Sequence, residues 1–380
     1  MTKGKNIHAF FALVRAGLWA DINNNANANH NLFDGMDWSE VYRLAEEQSV
    51  IGLVADGIDR FKFQVSGFKI PQEWALQFVG HTLQLEQRNR EMNAFIEKLI
   101  QRLRDENIYT LLVKGQGIAQ CYEKPLWRAC GDVDLYLSRD NYEKAKKYLI
   151  PLAQYIETED KKRLHLGLTI DGWVVELHGT LFSRLSKRVD EGIEEAHEDV
   201  FYGGNVRSWM CGRTQVFLPG VDSDIIFVFS HILQHYFSGG IGLRQVCDWC
   251  RLLFFYRAKF DLRLLESRLK RMELMSEWMA FASLAVNWLG MPEETMPFYS
   301  PKRRWGKKAD IIVSLLLEAG NFGQGRDNSY KNKYPSIIAN LISFWIYTKY
   351  NIIQFSVFPL DAIKSWLRII TLGIKMKLKM

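Results

Sequence analysis

The sequence predicts an α+β protein in which a small mixed sheet sits between two helical regions. Three observations carry that expectation. Apolar residues recur at helical spacing through the first hundred residues, short β-branched and aliphatic runs take over at Ile108, and helical spacing returns from about Asp222. The expected boundaries are residues 1–106 for an N-terminal helical region, 107–220 for the sheet-bearing core and 221–380 for a C-terminal helical domain. A chain of 380 residues with 48% hydrophobic and 24% charged side chains is long and apolar enough to bury cores of that extent.

The run from Ala9 to Ala20 reads as a first amphipathic helix, since no small-residue cleavage site follows its short apolar stretch. DINNNANANHNLFDG, starting at Asp21, is a polar loop, and a second helical stretch opens near Asp37 and runs through VYRLAEEQSVIGLVADGIDRF. Pro71 suits a helix N1 position, and Gln72 to about Glu106 forms one long helix or two in tandem. IYTLLVKG, VDLYL, LGLTI and WVVELHG are strand-like, with the helix-like NYEKAKKYLIPLAQY between the second and third. The later helices are IIFVFSHILQHYF, LRQVCDWCRLLFFY, LRLLESRLKRM and MSEWMAFASLAVNWL. The longest apolar stretch, Ile337 to Thr348, is interrupted by Asn340 and Ser343 and closed by Lys349. It falls short of the roughly 20 apolar residues that span a bilayer, so no transmembrane segment and a cytoplasmic location are expected.

A net charge of +6, from 49 cations and 43 anions, is too mild for a protein that coats nucleic acid. Five cysteines are sparse and odd in number, which points to a reduced compartment. Cys247 and Cys250 lie in an apolar helical run without a second pair, and read as structural thiols. The basic cluster KRRWGKK (302–308) and the tail from Ile363, which mixes Trp366, Leu367, Ile369 and Ile370 with Lys and Arg, are solvated helix or a weak membrane-surface contact.

Chemistry concentrates in VKGQGIAQCYEKPLWRACGDVDLYL, residues 113–137. Asp132 and Asp134 are two apart in a strand, so both carboxylates share a face while Val133 and Leu135 point to the core. Two adjacent carboxylates repel, and a divalent cation relieves the repulsion; hard oxygen ligands suit Mg²⁺ (or Mn²⁺) bridged to phosphates. Glu176, flanked by Val175 and Leu177, offers a third carboxylate from a neighbouring strand, making a two-metal clamp on a nucleoside triphosphate. Lys114 and Gly115 follow a strand, and Gly115 and Gly117 permit close approach of backbone to phosphate.

This pattern resembles the DNA polymerase beta-like nucleotidyltransferase superfamily, with its glycine turn, Asp-x-Asp and later third carboxylate. More narrowly it is similar to the bacterial group labelled uncharacterised nucleotidyltransferase. The matching residues are Lys114-Gly115, Arg128, Gly131-Asp132-Val133-Asp134 and Glu176-Leu177-His178. The resemblance implies that Asp132, Asp134 and Glu176 are catalytic metal ligands, and that Lys114, Gly115, Gln116 and Arg128 meet the nucleotide. Gln116 stands where the broad superfamily has Gly or Ser, and CYEKPLWRAC lengthens the link from Gly115 to Asp132.

Other readings stay open at this level. Arg128 is a phosphate clamp or an ion-pair partner. His165 and His178 orient a carboxylate, contact substrate, or are packing histidines. His231 and His235, four apart on one helix face, belong with Asp248 to helix packing or a substrate pocket, because the acid of HExxH is absent. The expected activity moves a nucleoside monophosphate from an NTP to an unidentified hydroxyl or phosphate acceptor: a small molecule, a sugar, a protein or an RNA. A catalytically inactive nucleotide-binding or partner-binding protein on the same fold is the alternative, and a kinase-like phosphotransferase a further one.

Overall fold

The computed structural model describes residues 2–19, 32–183, 185–201, 203–238, 240–320, 329, 333–360, 362–364 and 366–367. Most of the Asn-rich loop and the basic tail beyond residue 367 lie outside the described residues. The protein is mostly helical with a small mixed sheet.

Helix α1 (Thr2–Leu18) starts earlier than expected, and the second helical stretch is two helices, α2 (Trp38–Glu47) and α3 (Ile51–Gln64). Asp37 caps α2, accepting from the Ser39 amide at 2.9 Å. The break falls at Gln48–Val50, where Ser49 takes φ 56°. It leaves Gln48 wholly buried, with its side chain bonded to the Leu316 carbonyl and the Leu243 amide at 2.9 and 2.8 Å. Apolar periodicity alone cannot report such a break, because the pattern resumes in phase on its far side. Helix α4 (Gln72–Asp105) is a single 34-residue helix, with Pro71 at the N-cap one position before N1. Its first half reaches one core through Phe78; its second half packs Met92, Ile96, Leu99 and Leu103 into another.

Strand β1 (Leu111–Val113) and the short α5 (Gly115–Ala119) follow, and a 3₁₀ turn at Pro125–Trp127 leads to β2 (Asp132–Tyr136). Helix α6 (Arg139–Leu149) ends before Pro151, which cannot continue the helix, and the chain leaves into β3 (Tyr155–Ile156), β4 (His165–Ile170) and β5 (Trp173–His178). Helix α7 (Lys187–Phe201) and the hairpin of β6 (Val206–Cys211) and β7 (Thr214–Pro219) were not anticipated. The helical end of the chain contains α8 (Val221–Ser238), α9 (Leu243–Phe255), α10 (Leu262–Arg271), α11 (Met275–Asn287), α12 (Arg303–Ala319) and α13 (Ser336–Val357). The basic cluster opens α12, and its Trp305 is buried. No helix among the described residues is long and apolar enough to cross a membrane.

The sheet runs β1-β2-β5-β4-β3, with β2 and β5 parallel and the other neighbours antiparallel. One face packs Val133, Leu135, Val175 and Leu177 against α4 and α6. The other face carries the polar residues of β2 and β5 toward α8 and α9. Period-2 alternation thus sorts these strands into a dry side and a chemical side.

His197 on α7 closes part of that second side, its ring set edge-on to Tyr136 at 5.0 Å and Phe227 at 5.8 Å. Burial pulls its pKa down to about 4, with only the Ile193 carbonyl as a partner. The unfolded chain therefore takes up this proton first, near the ordinary 6.5. The contribution of neutral His197 is complete above that value and is lost as pH falls toward 4, by up to about 3 kcal/mol. Urea titrations between pH 7 and 5 should show His197→Phe losing less stability over that range than the parent; parallel losses would refute the assignment.

Candidate active site

The chain leaves β1 through a strained turn. Lys114 has φ 57° and ψ −142°, sparsely populated for a residue with a side chain, and Gly115 follows at φ 41°. This turn sends the Lys114 side chain back across β2, where its ammonium lies 2.9 Å from Asp134 Oδ1. Gly117 serves packing instead, because a Cβ there would press on Leu218 of β7 at 2.8 Å. Of the two glycines expected near phosphate, only Gly115 lines the cavity described below.

Asp134 stands opposite Glu176 in the parallel β2–β5 ladder, and Asp132 precedes it on the same face, opposite Val174. His178 follows Glu176 by two residues, so it too shares the face; its Nε2 lies 2.9 Å from Asp134 Oδ1 and 3.4 Å from Glu176 Oε2. His165 on β4 pairs in register with His178 and places its Nε2 3.3 Å from Glu176 Oε2. Five side chains thus form one connected network in which Asp134 is nearly sealed from solvent.

The electrostatics follow from this crowding. The His165 hydrogen bond, reinforced by His178, holds Glu176 far below the usual carboxylate range despite its burial. The charge of Asp134, then burial, pushes Asp132 up, partly offset by Lys114. Burial alone would discharge His178 and Lys114. For His178 the bonds to Asp134 and Glu176 outweigh it, and for Lys114 the charges of Asp134, Asp132 and Glu176 do, so both pKa values rise.

His165, Glu176 and His178 offer donor atoms within 4.8 Å of one another. The donor set, with Asp132 and Asp134 beside it, fits a divalent cation.

The network forms one wall of a cavity of about 290 Å³. Helix α8 supplies Phe227, His231 and His235 opposite it, and α9 supplies Arg244, Gln245 and Asp248. The two α8 imidazoles touch through their Nε2 atoms at 3.0 Å; burial, then the charge of Lys114, keeps His231 well below an ordinary histidine. Among the described residues they join no metal-holding group.

Arg128 reaches the same cavity with its fork closed on Asp248, at 3.0 Å through Nε and 2.6 Å through Nη2, while the buried Nη1 has no partner among the described residues. Tyr122 donates to Asp248 at 2.8 Å. Arg244 donates to the Ala129 carbonyl at 2.6 Å and leaves Nε without a partner.

Gln116 corrects an expectation. Its side chain does not line the cavity: it donates to Asn89 Oδ1 at 2.7 Å, beneath α5. Asn89, wholly buried on α4, also donates to the carbonyls of Leu126 and Arg128 at 2.7 and 2.8 Å, tying together the two ends of the site. Cys247 and Cys250 are buried free thiols on α9.

The structure brings Asp132, Asp134, Glu176, Lys114, Gly115 and Arg128 to one cavity. Arg244 and Gln245 also line it but were not singled out in the sequence, since they come from a helix more than a hundred residues downstream of Asp132, with no local signal. The engagement of His178 was legible, because ELH puts its imidazole two residues from Glu176 on a strand. That of His165 needed the β4–β5 register.

A family model described as an uncharacterised nucleotidyltransferase matches residues 34–290, about two thirds of the chain. No curated protein and no solved structure matches the chain.

Proposed function

Because the chain belongs to the uncharacterised nucleotidyltransferase family, we propose that it moves a nucleoside monophosphate from an NTP to a hydroxyl or phosphate acceptor and releases pyrophosphate. One observation supports this above the others. Asp132, Asp134 and Glu176 share a sheet face, with Asp134 and Glu176 in register on parallel strands, at the wall of a cavity with four basic side chains, Lys114, Arg128, Arg163 and Arg244.

The three carboxylates, with His165 and His178 beside them, would hold the divalent metal, Mg²⁺ or Mn²⁺. A cation bound there would lower the pKa of an acceptor hydroxyl and neutralise charge developing on the triphosphate. Lys114 lines the cavity on the side where the phosphates would lie, and the Gly115 turn lets the backbone come close. Asp248 holds the Arg128 guanidinium in one orientation. His231 and His235 line the opposite wall of the cavity.

The second reading, a nucleotide-binding protein without turnover, draws on the Lys114–Asp134 and His178–Asp134 contacts, which neutralise Asp134 without any metal. Turnover separates the two. The full chain, incubated with each α-labelled NTP and Mg²⁺ or Mn²⁺ plus acceptor pools, should release pyrophosphate and transfer label. Binding without transfer supports the second reading, and a nucleoside diphosphate product indicates phosphotransfer.

A further inference from the structure

Helix α13 presents two different faces. Its inner face is fixed to the protein: Tyr350 and Gln354 are buried and donate to the carbonyls of Leu315 and Tyr236, and Tyr347 donates to those of Phe237 and Ser238 at 2.9 Å. Its outer face carries Ile338, Leu341, Phe344, Trp345, Ile352 and Phe355, each between 44 and 66% exposed. At 100° per residue these six fall within about a third of the helix circumference, opposite Ala339 and Tyr350, and form a continuous stripe some 25 Å long. A stripe of this size, with a tryptophan at its centre, is far more than scattered surface hydrophobics.

The charge around it is equally lopsided. Residues 331–380 hold eight Lys or Arg and a single acid, Asp361; the whole chain has 49 cations and 43 anions, so residues 1–330 carry 41 and 42. The net positive charge of the protein is therefore gathered in the fifty residues that include the stripe. Lys333, Lys349 and Lys364 are exposed. Apolar and aromatic residues along one side of a helix, with basic residues about it and no acid within it, match an anionic bilayer surface. A protein partner of equal apolarity would leave the charge segregation unexplained.

We propose that α13 is an interfacial helix that seats the protein on anionic lipid, lying in the headgroup plane with its outer stripe in the acyl boundary. This is independent of the proposed transfer reaction. The inner face of α13 holds the carboxyl end of α8, the helix that lines the cavity with His231 and His235, so lipid contact and the cavity share one structural element.

Sedimentation of the full chain with vesicles of phosphatidylcholine, with or without phosphatidylglycerol, tests the proposal. The expected result is binding to the anionic vesicles at least about tenfold tighter than to neutral ones, weakened by salt. The double substitution Leu341→Glu and Trp345→Glu, with an unchanged circular dichroism spectrum, should lower that binding by about tenfold or more. Absence of sedimentation with either vesicle, equal binding to both, or undiminished binding of the variant would overturn it. So would a stable dimer in lipid-free buffer that the same variant converts to monomer, which would assign the stripe to a second copy of the chain.

Discussion

Asp134→Asn is expected to lower pyrophosphate-releasing turnover by about a hundred- to a thousandfold while leaving the fold in place. The substitution keeps the shape of the side chain and removes one negative charge from the point where Lys114 and His178 both converge at 2.9 Å. Two buried cationic groups then share only Asp132 and Glu176, and a divalent cation brought to the same face meets a charge-balanced cluster where it had met a net negative one. Steady-state rates on whichever NTP is turned over provide the measurement, with near-ultraviolet circular dichroism as the control for folding. A folded variant that keeps activity within tenfold of the parent would remove Asp134 from the mechanism.

The second large effect is on stability. Arg128 and Asp248 form a forked pair whose side chains are 5 and 4% exposed. Breaking such a pair from one side leaves a buried charge without compensation, so Arg128→Met should cost about 3–5 kcal/mol. The Tyr122 hydroxyl offsets little of this, being one neutral donor to a full carboxylate. Removing both charges in Arg128→Met/Asp248→Leu should recover most of the loss, and the double-mutant cycle then gives the coupling directly. A loss below about 1 kcal/mol for the single variant would show the pair to be dispensable. The double variant also separates two roles: it should be stable yet bind NTP more weakly, because a guanidinium charge is gone from the cavity wall.

What the sequence made readable, and what it hid, divides along the range of the interaction involved. The placement of Asp132 and Asp134 needed only the two-residue period of a strand, and that of Glu176 needed a second strand of the same pattern. The hairpin of β6 and β7 had a local signal too, a Gly212 turn between Cys211 and Thr214, but its outward residues are mixed in polarity and mask the alternation. The partner of Arg128 lies 120 residues away, and nothing near either residue announces it. Gln116 sits beside the Lys114–Gly115 turn in sequence, yet α5 points its side chain at Asn89. Adjacency along the chain gave the wrong side of a five-residue helix.

Asn89 carries a consequence for how the protein can be divided. Its amide group grips the loop before Asp132 and the helix after Gly115 at once, and Trp127 of that loop is held by Glu86, a turn earlier on the same helix. The gap between the turn and the carboxylates is thus gauged by a ruler that belongs to α4, upstream of every strand. A fragment trimmed to begin at residue 107, where the composition changes, would retain all three carboxylates and discard the part that spaces them. The smallest unit able to keep the geometry begins no later than the start of α4.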